Sequence, residues 1–247
     1  GNYIARNSAY WMGGGIYVAG SSRGHIRIAG NTIYRNHTDQ WGGGLMIQGT
    51  NLDVASNSIT HNSAGKTGGG VAVPAGSGSF TANTVAWNEG DGLRIISDSR
   101  WRLSRNSIYA NSGLGVELEE DGPTPNDEGD ADEGANDLQN YPVLSAASSD
   151  GASTKIAGTL NSTPNAGFTI EFFANEEVDP SGYGEGQRYV GSTTVTTDAD
   201  GEAAFEVILP VAVEEPDLIT ATATSAEGHT SEFSRPVGRR TGRAGRR

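Results

Sequence analysis

The side chains best suited to chemistry lie in an acidic stretch near the middle of the chain, residues 119–142. Four aspartates alternate there with Gly, Ala and Asn: Asp127, Asp130, Asp132 and Asp137. Charges this dense repel one another unless a cation or hydrogen bonds offset them, and Ca²⁺ takes about six to eight oxygen ligands. The four aspartates therefore predict a calcium site. The spacing differs from that of an EF-hand, and a flexible acidic linker is the alternative interpretation.

A second set of candidate residues combines aromatic and charged side chains in the first half of the chain. Trp11 and Trp41 are flat apolar platforms of the kind that stack on sugar rings. With four polar or amphipathic neighbours they form the predicted substrate-binding set: Trp11, Tyr17, Trp41, Lys66, Arg94 and Glu117. Two simpler interpretations stay open. The tryptophans would pack their loops against a neighbour, and Arg94 with Glu117 would form an exposed ion pair.

The sequence does not single out catalytic residues. Hydrolysis of a glycosidic bond needs two positioned carboxylates, and the plausible members Asp39, Asp91 and Glu117 belong to different repeats. Lys66 or Arg94 would serve as the base of a lyase, but no acidic cluster accompanies them. His229 lacks a flanking motif for nucleophilic catalysis.

A repeated phrase must position these residues. The pattern N-x-[IV]-x-x-N occurs at 2–7, 31–36, 57–62, 83–88 and 106–111, so the spacings between first asparagines are 29, 26, 26 and 23 residues. Each copy is followed by glycine and an aliphatic-x-aliphatic triplet that begins at Ile16, Leu45, Val71, Leu93 or Val116. This period is typical of one coil of a solenoid.

Each period contains three strand-like segments, which predicts a right-handed parallel β-helix of about five coils over residues 1–120. Successive triplets form one interior column, and the Ile or Val of each phrase forms another. The flanking asparagines are expected at tight corners, where Asn tolerates left-handed backbone angles and its amide bonds along the stack.

The repeats resemble those of the pectin-lyase-like superfamily, in particular right-handed β-helix repeat proteins of bacterial secreted and surface proteins. Relatives there include pectate lyases, polygalacturonases and adhesins without catalytic activity. The resemblance implies that a substrate lies along the outward face of the first strand, where Tyr17, Arg94 and Glu117 are expected.

The sequence pattern changes after the repeats. Residues 121–141 are predicted to form an acidic cap, in which Leu138, Tyr141 and Val143 cover the last coil. Residues 142–237 contain about seven alternating strands separated by turn signals, typical of an immunoglobulin-like β-sandwich. Such sandwiches, when they follow β-helices in secreted proteins, bind, space or display. The Arg/Gly-rich residues 238–247 are predicted to be a disordered tail.

Charge and composition bound the function. The net charge of −13 disfavours binding to nucleic acid or anionic membranes, and no apolar stretch is long enough for a membrane-inserted helix. Cysteine is absent, which excludes disulfides and thiolate chemistry. The chain opens inside a repeat, so we expect earlier coils and a signal peptide to be missing.

The sequence thus predicts a secreted or cell-surface protein that binds or displays extracellular polysaccharide or surface glycan. The alternative is a lyase or glycoside hydrolase whose site lies partly in missing coils. The oligomeric state is left open.

Overall fold

A computed structural model describes residues 1–20, 24–119, 122–214 and 218–238. The chain is nearly all-β, with a solenoid of about four turns followed by antiparallel sheets. The predicted fold class is confirmed. Of the predicted tail, residues 239–247 lie outside the described ranges.

Within the described ranges, the solenoid contains fifteen parallel strands. They are β1 (Tyr3–Ala5), β2 (Ser8–Ala9), β3 (Ile16–Ala19), β4 (Ile26–Ala29), β5 (Thr32–Tyr34), β6 (His37–Thr38), β7 (Leu45–Ala55), β8 (Ser58–Thr60), β9 (Ser63–Ala64), β10 (Val71–Thr81), β11 (Thr84–Ala86), β12 (Leu93–Ile95), β13 (Arg100–Ser104), β14 (Ser107–Tyr109) and β15 (Val116–Leu118).

These strands form three parallel sheets. The repeated phrase supplies β1-β5-β8-β11-β14, and the aliphatic triplets supply β15-β12-β10-β7-β3, which β4 and β13 extend. In the middle coils, the two strand segments predicted after glycine are continuous, so β7 and β10 are eleven residues long. The short strands β2, β6 and β9 form the third sheet.

The register confirms both predicted interior columns. Ile16 pairs with Leu45, and Val71 pairs with both Leu45 and Leu93. The phrase column runs in the same way from Ile4 to Ile108 through Ile33, Ile59 and Val85. Like residues stack because a parallel register repeats the same inward position in every coil.

The asparagines stack as predicted, but not for the backbone reason expected. In the middle coils each Nδ2 donates to the Oδ1 of the next coil, as from Asn36 to Asn62 at 3.0 Å and from Asn62 to Asn88 at 3.0 Å. From Asn7 onward, the left-handed residue is the one before each Asn of the phrases, for example Ser56 with φ 55° and His61 with φ 57°. The corner therefore bends at that residue, and the asparagine side chain bonds neighbouring coils.

The sandwich consists of seven strands in two antiparallel sheets, β16-β17-β20 and β19-β18-β21-β22. The strands are β16 (Val143–Ser149), β17 (Thr154–Asn161), β18 (Gly167–Asn175), β19 (Arg188–Thr196), β20 (Glu202–Leu209), β21 (Leu218–Ser225) and β22 (Val237–Gly238). A core of alternating residues such as Ile156, Ile170 and Phe172 lies between the sheets.

The junction and the sandwich together cap the rod. A 3-10 turn at Ala135–Leu138 contributes Ala135 and Leu138 to the solenoid core, and the sandwich contributes Phe173 and Phe233. The prediction for Val143 was wrong, because this side chain is 55% exposed at the start of β16. Tyr141 is half-buried and packs against Tyr183 at 5.6 Å between ring centroids.

Within the described residues, the structure contains no helix with the length and apolar character needed to cross a membrane.

Candidate functional site

The outward row of the first-strand sheet is open at one end and covered in the middle. Tyr17 is 46% exposed, whereas its register partner Met46 and the next residue, Ala72, are each 1% exposed. Met46 and Ala72 have a strand on either side, whereas Tyr17 lies on β3, the end strand of this sheet. A substrate along this face, as the resemblance implies, would therefore meet almost fully buried side chains at Met46 and Ala72.

Three of the predicted binding residues lie on successive coils at the edge of this face. Trp41 N donates to Trp11 O at 3.3 Å, and Lys66 N donates to Gln40 O at 3.0 Å. Trp11 is 64% exposed, Trp41 is half-buried and Lys66 is exposed. We call these three residues together with Tyr17 the loop patch (Trp11, Tyr17, Trp41 and Lys66).

Arg94 and Glu117 lie apart from the loop patch, on the last two coils. They are register partners, but Arg94 Nε lies 2.9 Å from Asp91 Oδ2, and both side chains are mostly buried. Glu117 is 2% exposed, and its Oε1 accepts a hydrogen bond from Gly122 N at 3.0 Å. The exposed ion pair considered for Arg94 and Glu117 is therefore replaced by a buried arrangement that includes Asp91 and the junction.

The structure brings three of the four predicted metal ligands together. Carboxylate oxygens of Asp127, Asp130 and Asp132 all lie within 4.8 Å of one another. Asp137 belongs elsewhere, because its Oδ2 lies 2.8 Å from Nδ1 of His229. The site therefore offers three aspartates instead of four.

The free oxygens of this acidic triad fit a cation. Asp127 Oδ1 and Asp132 Oδ1 are buried and have no hydrogen-bond partner. Asp130 is held in place instead, since its Oδ1 accepts from Asn140 N at 2.7 Å and its Oδ2 accepts from Ser162 Oγ at 2.7 Å. Two buried acceptors without donors, beside a fixed third carboxylate, match the oxygen-rich coordination of a hard cation.

Burial is the main electrostatic influence on the triad. It raises the pKa of Asp130 to about 6, and the charges of Asp127 and Asp132 act in the same direction, while hydrogen bonds from Ser162 and Asn140 oppose the shift. Burial and the charge of Asp127 also raise the pKa of Asp132. Both shifts therefore result first from burial and second from the charges of the neighbouring aspartates. Asp130 and Asp132 line a cleft of about 620 Å³, which gives an ion access from solvent.

Sequence reasoning missed a row of rings on the opposite corner of the rod. Tyr3, Tyr34, His61, Trp87 and Tyr109 come from the five repeated phrases, and consecutive ring centroids are 5.1 to 6.4 Å apart. We call this row the corner ladder. Every phrase contains an aromatic residue or histidine, so the signal was present in the sequence. These residues occupy different positions of the phrase, however, and the sequence pattern therefore did not predict that they stack.

The repeat region matches a known protein family. Residues 1–127 match the family described as "Right handed beta helix region", which is just over half of the 247-residue chain.

Proposed function

The chain belongs to the right-handed beta-helix family, and from this premise we propose that it is a secreted or cell-surface protein that binds and displays polysaccharide. The observation that supports this best is the loop patch. Trp11 and Tyr17 are exposed on the first coil, Trp41 is half-buried on the second, and Lys66 is exposed on the third. Aromatic faces with an adjacent polar group suit sugars, which have apolar and hydrogen-bonding sides.

A polysaccharide lyase or hydrolase is the less favoured function. Such an enzyme needs paired or clustered carboxylates where the substrate lies. The acidic triad instead lies in the junction, where Asp130 and Ser162 tie it to the sandwich. The position of the triad favours a structural role for it.

A glycan array with the full chain tests binding, and an assay for unsaturated or newly reducing sugar ends on every retained glycan tests catalysis. We expect retention of a set of polysaccharides, at least tenfold weaker retention by Trp11→Ala, and no new sugar ends. Ile208→Ala is the matched control, because Ile208 is also 64% exposed but lies on the sandwich. Failure to retain any glycan would contradict the proposal, and product formation would favour the enzyme.

We also propose that calcium binds the acidic triad and fixes the junction between rod and sandwich. Ligands that bind only the folded state raise its stability by mass action. After removal of divalent cations, millimolar calcium should raise the melting temperature of the native chain and of Asp137→Asn, but not of Asp132→Asn. An equal shift in all three proteins, or none in any, would exclude this site.

A further inference from the structure

A serine, a histidine and an aspartate form a hydrogen-bonded chain on the outside of the rod, which we call the serine site (Ser63, His37 and Asp39). Nδ1 of His37 lies 2.8 Å from Oγ of Ser63, and its Nε2 lies 3.0 Å from Oδ1 of Asp39. Among the described residues, no other histidine ring bonds both a hydroxyl and a carboxylate. A nucleophile, a base and an orienting group are connected in this order in enzymes with an activated serine.

The parallel register places all three side chains on one face. His37 and Ser63 are register partners on the adjacent strands β6 and β9, so their side chains point the same way. Asp39 lies two positions after His37 and shares its face, because strand side chains alternate. Bonds between coils fix the backbone: Ser63 N donates to Asn36 O at 3.0 Å, and Asp39 N donates to Ala9 O at 3.2 Å. Such regular elements hold a site more precisely than loops do.

The carboxylate determines which ring nitrogen of His37 is the base. An ionised carboxylate only accepts hydrogen bonds, so Nε2 carries the hydrogen that is donated to Asp39. In the neutral ring, Nδ1 then holds the lone pair, and this lone pair faces the Ser63 hydroxyl. His37 is therefore placed to accept the proton of Ser63, and Asp39 orients the ring and stabilises the imidazolium that forms.

The serine site is open to solvent and lies beside exposed aromatic side chains. The side chains of His37 and Asp39 are 48% and 52% exposed, and Ser63 is half-buried. Strand β2, which bonds Asp39 N, continues directly into Tyr10 and Trp11. Both residues are 64% exposed, and their rings meet edge-on with centroids 5.3 Å apart. An aromatic substrate would therefore find ring surface next to the serine.

We propose that Ser63 is a nucleophile that cleaves carboxylic esters of phenols. Electrostatic stabilisation of an oxyanion is strongest where water is excluded, and this site is exposed. Its substrate must therefore carry a leaving group that departs readily. A phenol, with a pKa of about 10, is a stronger acid and a better leaving group than an aliphatic alcohol. This activity is independent of the proposed polysaccharide binding.

The reaction is balanced by the groups of the site and one water. Oγ of Ser63 attacks the carbonyl carbon while Nδ1 of His37 takes the hydroxyl proton. The bond from that carbon to the phenol oxygen breaks, the electron pair leaves with the oxygen, and the imidazolium returns the proton to it. Water then attacks the acyl-serine with His37 again as the base, which releases the carboxylic acid and restores Ser63. Nothing is oxidised or reduced.

The test uses the full chain with two probes, an aryl fluorophosphonate that labels nucleophilic serines and nitrophenyl acetate. We expect labelling at Ser63, located by peptide mapping, together with release of nitrophenol. Ser63→Ala should abolish both, and His37→Gln should slow both at least about tenfold, because a general base contributes about 10²–10⁴ in rate. Ser8→Ala is the matched control: Ser8 is exposed and is the register partner of His37 on the other side, so both rates should stay unchanged.

Asp39 acts through His37 and is a positioning residue, so its variant is judged by a different measurement. Asp39→Asn should lower the maximal rate of labelling and leave unchanged the probe concentration that gives half of that rate. Its melting temperature should equal that of the native chain, because Asp39 is exposed. A purely structural role would change the melting temperature and spare the maximal rate.

The outcomes separate this inference from the proposed function. Labelling that is absent, that maps to other serines, or that persists in His37→Gln would overturn the inference. If the chain retains polysaccharide and Ser63 is not labelled, the proposed function stands and the serine site is inert. If Ser63 is labelled and no glycan is retained, the serine site is active and the proposed function is wrong.

Discussion

At the scale of the residue, the buried asparagines explain most about this rod. Asn62 is fully buried. Its Oδ1 accepts from the backbone and side-chain nitrogens of Asn36, and its Nδ2 donates to Ile33 O and to Asn88 Oδ1. One amide therefore satisfies polar groups on both adjacent coils, which buried backbone requires.

Asn62→Ala should destabilise the protein by about 2–4 kcal/mol, because it leaves several buried donors and acceptors without partners. Asn7→Ala is the matched control, because Asn7 is exposed at the end of the same asparagine stack. This substitution should cost less than about 1 kcal/mol of stability. Urea unfolding measures both. An equal loss of stability in the two variants would show that the stacked asparagine amides contribute little.

Glu185 makes stability depend on pH. Burial raises its pKa to about 7, although hydrogen bonds from Ala110 N and Asn111 N act in the opposite direction. The folded state therefore holds this proton more tightly than the unfolded state. Its contribution to stability is fully present below the ordinary pKa of 4.5 and is lost as pH rises through about 7.

Between pH 5 and pH 8, we expect the melting temperature of the native chain to fall further than that of Glu185→Gln. Asp130 contributes a dependence of the same sign in both proteins, so the difference between them reports on Glu185. Parallel pH profiles would show that Glu185 does not titrate in this range.

At the scale of the element, the glycine-rich turns determine how closely the coils pack. A Cβ on Gly43 would lie 2.4 Å from Ser63 O and 2.5 Å from Gly69 O, both backbone atoms of the next coil. A Cβ on Gly24 would have no heavy atom of another residue within 4 Å, apart from its chain neighbours. The two glycines therefore differ in packing, although the sequence alone presents both as turn residues.

Gly43→Ala should cost about 3 kcal/mol, because the backbone of adjacent coils must separate to accept the methyl group. Gly24→Ala should be within about 0.5 kcal/mol of the native chain, as is usual for surface substitutions. Thermal unfolding of the two variants checks this. A tolerated Gly43→Ala would contradict the close approach described above.

The periodicity of the sequence predicted the structural features that every coil shares. The interior columns and the stacking of the asparagines follow from the spacing, since a parallel register repeats each position. The burial of Met46 and Ala72 beside the exposed Tyr17 was not predictable, because these three residues occupy the same position of the repeat. The pairing of Asp137 with His229 joins residues 92 positions apart, and no local pattern connects them.

At the scale of the whole molecule, the sandwich closes the end of the rod. Phe233 packs edge-on to Phe173 with centroids 5.3 Å apart, and both belong to the solenoid core. The sandwich loop also adds an antiparallel bridge between Gly186 and Ile108 at the last phrase strand. At the last coil, the open core and the edge strand β14 are thus both covered.

Phe233→Ala should destabilise the chain by about 3–5 kcal/mol, since it opens a cavity at this cap. Hydrogen exchange should increase at the amides of β14 and β15. Phe205→Ala, within the sandwich core, should raise exchange in the sandwich and leave β14 and β15 protected. If β14 and β15 stay protected in Phe233→Ala, the sandwich does not stabilise the rod.

The central claim is that the rod binds polysaccharide through the loop patch, and calorimetric titration of the native chain and Trp11→Ala tests it most directly. With a glycan that the native chain retains, we expect at least tenfold weaker binding by Trp11→Ala and unchanged binding by Ile208→Ala, because Trp11 and Ile208 are equally exposed but only Trp11 belongs to the loop patch. Equal affinities of the native chain and Trp11→Ala, or no polysaccharide binding by the native chain, would contradict the claim.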